Sequence, residues 1–393
     1  MIRPRVGRRW AHSGYSVSMP GKTVTPSDGN ATARFATVRA ILEQAIAQRA
    51  FPGAAWGVLH RGALVALDAA GRFTYEADAP LVTPGTVFDI ASVSKVIATT
   101  AAAMLLVDRG ELDLDARVGD LLPGFVIGME PGSGKQNVTV RMLLAHTSGL
   151  AAYAPLFREH PTPQALLRAI LSLPLEAKPG ARTEYSDFGF ILLGKIIELL
   201  GGEPLHLFCQ RAIFTPLGLV TTCFCPPREA RSSIPPTEDD RTFRHRVIQG
   251  EVQDENCFVL GCASGHAGVF SNAEDLLRFA QCILAQGRTA DGRTVFEPST
   301  VEIFATRHET PDGKLRALGW DVPTEGSSSG RHFGPRSIGH LGYSGCSLWS
   351  DPDQELAVVL LTNRTWPDRS NNAIRPIRAA FHDAVVEALG TTT

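Results

Sequence analysis

Ser92-Val93-Ser94-Lys95 sets a lysine three residues after a serine, and the chain holds no other S-x-x-K. On a helix that spacing puts both side chains on one face, a single turn apart. If Ser92 opens the helix, free backbone N–H groups there can hold an oxyanion, and Lys95 can accept or steer the serine proton. The helix that follows is apolar (Val96, Ile97, Ala101, Met104, Leu105). A lysine beside it needs a partner, and the local sequence offers no carboxylate. Tyr185-Ser186-Asp187 precedes a second apolar stretch, with Asp187 placed as a natural N-cap. Tyr185 has two readings on its own: a packed aromatic, or a phenol that meets Ser92 and Lys95 and relays the proton, since an activated nucleophile needs a nearby base.

A third element separates them. Gly339-His340-Leu341-Gly342 lies on a late β-prone run and leads into Tyr343-Ser344-Gly345. With it the chain resembles the class C β-lactamases, the D-alanyl-D-alanine peptidases and the family VIII carboxylesterases, which share S-x-x-K, Y-x-N and a K-x-G or H-x-G strand in this order. The resemblance spans about Phe35 to Leu389 and includes Val138–Leu150, Pro179–Gly194 and Gly268–Ala280. It implies Ser92 as nucleophile and Lys95 with Tyr185 as the acid/base pair. His340 and Gly342 would flank the substrate, and the N–H groups of Ser92 and Tyr343 would form the oxyanion hole. Two positions depart from the pattern. Asp187 stands where the β-lactamases carry Asn, which puts amide recognition in doubt. His340 stands where they carry Lys, so a fixed cation for a substrate carboxylate is missing from the strand.

Other motifs carry less. The resemblance makes His146-Thr147-Ser148-Gly149 a structural turn ending a helix rather than a catalytic cluster. Gly342-Tyr343-Ser344-Gly345-Cys346 breaks G-x-S-x-G at its last residue, and Met129 and Gln136 break a P-loop around Gly134-Lys135. Asp254, Glu255, Asn256 and Ser264-Gly265-His266 read as a solvated loop and its exit, and Trp320 and Trp349 as core.

The elements that must position these residues follow from periodicity. Thr37–Arg49 reads as an amphipathic helix, and Gly53–His60 with Ala63–Ala70 as a hairpin turning at Arg61-Gly62. Ser92–Asp108 reads as a buried helix closed by Gly110. Further helical patterns cover Val140–His146, Gln164–Leu171, Phe188–Leu200, Ala273–Ala285 and Pro298–Ala305. Ser337–Leu341, Cys346–Ser350 and Glu355–Thr362 read as strands, and Ala373–Leu389 as a closing helix. The long charged stretch from Pro226 to Asn256 reads as a loop. Two strands early and three late predict an α/β (α+β) fold: a mixed, mainly antiparallel sheet flanked by helices, with a helical inserted subdomain. The expected organisation is a tail over 1–33 and one catalytic domain over 34–390. Its α/β part covers about 34–90 and 290–390, its helical part about 91–289.

Composition limits the function classes. The 393 residues are 44% hydrophobic and 20% charged with a net charge of −2, a globular pattern without the basic stripe that nucleic acid requires. Arginine outnumbers lysine 32 to 6, so a placed lysine stands out. Met1 to Lys22 has no apolar run of signal-peptide length and no segment is long enough to span a membrane, which predicts a cytoplasmic protein. Seven cysteines, an odd number, read as reduced thiols; Cys223-Phe224-Cys225 with Cys257 and Cys262 lacks zinc spacing, so neither metal nor cofactor is expected. The expectation is a serine hydrolase cleaving small esters through an acyl-enzyme, with a small-molecule acyl substrate as partner and the oligomeric state open. The alternatives are a D-amino-acid peptidase or weak β-lactamase, an acyltransferase using the same acyl-enzyme, and a dead binding module, against which the intact Ser92, Lys95 and Tyr185 argue.

Overall fold

A computed structural model describes residues 33–390. The expected tail over 1–33 thus falls almost wholly outside the described residues. Near the start, helix α1 (Ala36–Ala47) is followed by strands β1 (Gly53–His60) and β2 (Ala63–Gly71). Arg61 and Gly62 both take positive φ, 52° and 74°, the geometry that matches a two-residue turn to the twist of a hairpin. Strands β3 (Ile338–Leu341), β4 (Ser347–Asp351) and β5 (Leu356–Thr362) come from the other end of the chain. The sheet order is β3-β4-β5-β1-β2, and all four ladders are antiparallel. The two ends of the chain therefore meet through β1 and β5.

Both faces of that sheet are buried, and the two-residue period of a strand sorts its side chains between them. Trp56, Val58, Val358 and Leu360 pack with Val38 and Leu42 of α1 and with Phe381 and Val385 of the final helix. Ala55, Leu59, Val359 and Leu361 point the other way, into the larger core that continues through the helices from the middle of the chain. Those helices include α2 (Ala101–Asp108), α3 (Val140–Leu144), α4 (Asp187–Gly201) and α5 (Ala273–Leu284), and α6 (Ile374–Leu389) closes the chain. Trp320 and Trp349 are buried.

The structure corrects the sequence reading in three places. The helix expected over Ser92–Asp108 is a composite run: a 3₁₀ turn at Ala91–Val93, a π-helical stretch at Lys95–Thr100, then α2. π turns widen a helix locally and concentrate at functional sites. The stretch from Pro226 to Asn256 is not a plain loop but contains a hairpin, Pro236–Asp240 with Arg246–Gln249. Its alternation is masked because Asp240 and Glu238 point inward, held by Arg244 and Arg369. A small sheet of Phe88–Asp89, Val269–Ser271 and Cys223–Phe224 also joins distant segments. Strands of two or three residues are too short to show a period.

Candidate active site

Ser92 lies in a 3₁₀ turn whose geometry is set from outside the helix. Ala91 takes φ +47°, and its N–H donates to Asp89 Oδ1 at 2.9 Å, while Asp89 Oδ2 accepts from Gln253 N–H at 2.8 Å. The Ser344 hydroxyl donates to the Asp89 carbonyl at 2.7 Å, which ties the Tyr343–Gly345 turn to the segment leading into Ser92. Gly342 completes the apposition: a Cβ there would stand 2.4 Å from the Ile90 carbonyl oxygen, so only glycine lets the end of β3 come this close. From behind, Arg378 donates to the carbonyls of Gly342, Gly345 and Cys346, and Arg364 Nε to that of Tyr343 at 2.6 Å. The backbone N–H groups of Ser92 and Tyr343 have no hydrogen-bond partner among the described residues.

Lys95 is fully buried and its ammonium reaches three acceptors: Ser92 Oγ at 2.9 Å, Asp187 Oδ1 at 2.7 Å and the His266 carbonyl at 3.1 Å. Burial alone would pull its pKa down, but Asp187 and Tyr185 outweigh it, so the lysine is held protonated above its ordinary value. Asp187 supplies the carboxylate that the local sequence lacks, from 92 residues away. The helix cap is not Asp187, as its type suggested, but Ser186, whose Oγ accepts from Gly189 N–H at 3.2 Å. Asp187 becomes the first residue of α4, where the helix dipole favours its negative charge.

Tyr185 lies with its ring 4.7 Å from Lys95 Nζ. Burial raises its pKa against the opposing pull of the Lys95 ammonium, so the phenol keeps its proton in the resting state. His146 grips the segment around it. The His146 carbonyl accepts from Glu184 N–H at 2.9 Å, its Nδ1 accepts from Ser186 N–H at 3.0 Å, and its ring lies 4.6 Å from that of Tyr185. Burial first, then Arg316, Lys95 and His340, hold His146 well below the usual imidazole pKa, so it is a neutral acceptor.

His340, on β3, is 1% exposed. Its Nδ1 bonds the Leu341 carbonyl at 2.8 Å, which leaves Nε2 as a lone-pair acceptor without a partner among the described residues. Burial pushes its pKa to about 4, so it carries no charge near neutrality.

Two cavities share Ser92, Tyr185 and Tyr343. One of about 680 Å³ is lined by His340, Gly342, Arg364, Arg375 and Arg378. The other, about 330 Å³, is lined by Asp187, Asp254, Glu255, His266 and Arg369. The structure thus brings Ser92, Lys95, Tyr185, Asp187, His340, Gly342 and Tyr343 together.

Sequence reasoning missed the supports. The stretch Asp254 to His266, read as solvated, is packed: Asp254 Oδ1 lies 2.9 Å from His266 Nε2, and Asn256 bonds Phe157 N–H and the Ala154 carbonyl. Its functional contact is a backbone carbonyl, that of His266, and such contacts leave no trace in side-chain type. The same holds for Arg364 and Arg378, which serve carbonyls.

A family profile described as beta-lactamase matches residues 38–382. The chain belongs to the beta-lactamase family. With it comes the class of enzyme, a serine hydrolase. Among relatives, it is 33% identical over 388 residues to an N-acetylmuramyl-L-alanine amidase of Bacillus subtilis (strain 168), covering 88% of this chain and 85% of that protein. It is 33% identical over 307 residues to a putative D-alanyl-D-alanine carboxypeptidase of Escherichia coli (strain K12), covering 72% and 70%. Similar solved folds include EstCE1, described as a hydrolase with promiscuous acyltransferase activity, at a TM-score of 0.73, 22% identity and coverage of 91% and 99%. A class C beta lactamase from Rhodobacter sphaeroides gives a TM-score of 0.67 at 23% identity, covering 90% and 99%. These structural matches describe the fold of this beta-lactamase family member and leave its substrate open. Among the described residues, one helical run, Ala91–Asp108, is long and apolar enough to cross a membrane, and 78% of it is buried inside the protein.

Proposed function

We propose that this protein cleaves a carboxylic ester of modest size through an acyl-enzyme at Ser92. The observation that carries the reading is the fully buried Lys95 held 2.9 Å from Ser92 Oγ, at the junction of two cavities. Ser92 Oγ attacks the acyl carbon while Lys95 and Tyr185 manage its proton. The Ser92 and Tyr343 N–H groups receive the oxyanion, and water then releases the acid. An ester fits better than an amide, because Asp187 is an anion tied to Lys95 and offers no amide N–H for a peptide carbonyl.

A second reading is a D-amino-acid peptidase or weak β-lactamase. Arg375 favours it: this exposed arginine at the larger cavity supplies a cation that β3 lacks, and the amidase and carboxypeptidase relatives act on peptide-type bonds by name. Transfer of the acyl group to an alcohol or amine would use the same intermediate.

The test has two parts. A fluorophosphonate should label Ser92 and fail to label Ser92→Ala, whose kcat drops on the order of 10³-fold or more. Initial rates on p-nitrophenyl butyrate, a chromogenic cephalosporin and a D-Ala-D-Ala peptide then rank the readings. Retained labelling in Ser92→Ala refutes the nucleophile, and a peptide rate above the ester rate replaces the esterase by the peptidase.

A further inference from the structure

An ammonium has three N–H bonds and no lone pair. On Lys95 all three are committed: to Ser92 Oγ, to Asp187 Oδ1 and to the His266 carbonyl. In that state Lys95 donates to the serine and cannot receive its proton. It must first lose one. Of its three acceptors, Ser92 is the nucleophile itself, and a peptide carbonyl is far too weak a base. Asp187 is the one group among them that can hold a proton. It is also the nearest of the three, at 2.7 Å, so the proton has a direct path to it. Asp187 is also free for the task, since Ser186 performs the capping.

We propose that Asp187 is the terminal proton acceptor in serine activation, taking a proton from Lys95 as Lys95 takes the proton of Ser92. Asp187 Oδ1 receives one Lys95 proton and the amine lone pair binds the Ser92 Oγ proton. The Oγ electron pair forms the bond to the acyl carbon, and the carbonyl π pair moves onto the oxyanion. On collapse the bond to the leaving oxygen breaks. That oxygen is protonated from Lys95 by way of Tyr185, and the Asp187 proton returns to the amine. The ion pair is restored with atoms and charges balanced, and the water step repeats the cycle. An asparagine at this position keeps the shape and has no basic oxygen, so the aspartate converts a one-proton activation into a two-proton relay.

The inference rests on the Ser92 acyl-enzyme reading. The experiment measures acylation by p-nitrophenyl butyrate in the pre-steady state across mixtures of H₂O and D₂O. Its leaving group departs as the phenolate and the proton left on Asp187 passes afterwards to water, restoring the ion pair, so only activation protons register. The expected wild-type plot of rate against deuterium fraction is bowed, as two protons in flight require. In Asp187→Asn it becomes a straight line, with acylation slowed by about tenfold or more. Tyr185→Phe is slower than wild type but still bowed. A straight wild-type plot, or a bowed plot in Asp187→Asn, overturns the relay. If Tyr185→Phe straightens the plot while Asp187→Asn does not, the second proton belongs to Tyr185 and the proposal fails. Should Asp187→Asn not fold, the wild-type and Tyr185→Phe plots still decide. A burst that survives in Ser92→Ala would instead refute the underlying nucleophile, a separate outcome.

Discussion

His146 holds the loop that carries Tyr185 without being placed to touch substrate, and removing its side chain should act on catalysis through Tyr185 alone. His146→Ala takes away two of the three grips. Ser186 N–H loses its acceptor at 3.0 Å, and an unsatisfied buried donor costs ~1–3 kcal/mol. The ring packed at a tilt 4.6 Å from that of Tyr185 also goes, and aromatic pairs contribute about 0.5–1.5 kcal/mol. The fold should therefore lose roughly 2–4 kcal/mol, read as a fall in Tm. The third grip, the His146 carbonyl on Glu184 N–H, survives in any variant. With the phenol free to drift by a fraction of an ångström, kcat should fall about 10- to 100-fold while KM stays within about twofold. Asparagine restores an acceptor near the position of Nδ1 and tolerates the positive φ of 58° at this site, so His146→Asn should regain much of the rate. The decisive assay is a double-mutant cycle by stopped flow on p-nitrophenyl butyrate. In a Tyr185→Phe background, His146→Ala should cost less than about twofold. An equal loss in both backgrounds, or a KM that moves with kcat, would refute a role through Tyr185.

Four further outcomes follow from the geometry. Lys95→Ala and Tyr185→Phe should each be severe and their combination little worse than either, because groups that share one proton path are non-additive; simple additivity in kcat would separate them. His382 needs its neutral form, with Nδ1 donating to the Ser328 carbonyl and Nε2 accepting from Ser347, and burial pushes its pKa to about 4. A folded value below the unfolded one near 6.5 means that its share of stability, roughly 3 kcal/mol, is full above pH ~6.5 and is lost as pH falls toward 4; Tm should thus decline less steeply over that window in His382→Gln, and parallel declines would contradict this. Gly342→Ala drives a Cβ to 2.4 Å from the Ile90 carbonyl and should both destabilise by about 1–3 kcal/mol and slow acylation, whereas an active, stable variant would show that the β3 end can retreat. His340→Lys with Asp187→Asn should narrow the preference for a neutral ester over a cephalosporin by roughly ten- to a hundredfold in kcat/KM, and no response would remove these two positions from specificity.

Much of this site could be read from side-chain type because its chemistry lies in side chains. S-x-x-K, Tyr185 and the His340–Gly342 strand end are short, ordered and set in recognisable context, and the longer elements, such as β1, β2, β5, α4 and α5, run for seven or more residues, long enough to show a period. What escaped reading has a common physical cause. Asp187 looked like a cap because Asp is a good cap, yet the neighbouring Ser186 serves equally well and releases the carboxylate to a lysine 92 residues away. The π turn at Lys95–Thr100 has no sequence period of its own. His266, Arg364 and Arg378 act on or through backbone carbonyls, to which every residue type contributes alike. Asp254 and Glu255 looked solvated because charge usually is, while here each has a paired partner, His266 and Arg369.

The same pairing logic bears on which molecules this site attracts. A neutral His340 removes a cation from β3, and from the sequence this alone argues against anionic substrates. The structure relocates charge rather than deleting it. Arg364 and Arg378 line the larger cavity but spend N–H groups on backbone carbonyls, Arg378 on those of Gly342, Gly345 and Cys346 and Arg364 on those of Tyr343, Arg369 and Asn371, so both brace the turn that carries the Tyr343 N–H. Arg375 is the exposed member of that set and keeps its long side chain at the same cavity. On the other side of Ser92, Asp187 and Glu255 are held by Lys95 and Arg369. The two sides of the nucleophile therefore differ in balance: Arg364, Arg375 and Arg378 face Asp321 at the larger cavity, while Asp187, Asp254 and Glu255 face Arg369 at the smaller one. A flexible surface arginine attracts anions more weakly than a lysine fixed on a strand, because its ordering cost is unpaid and water screens it. Charge at this site should consequently tune KM by a modest factor and orient the substrate end to end, while kcat should follow the Ser92–Lys95–Asp187 line, in which Lys95 is fully buried.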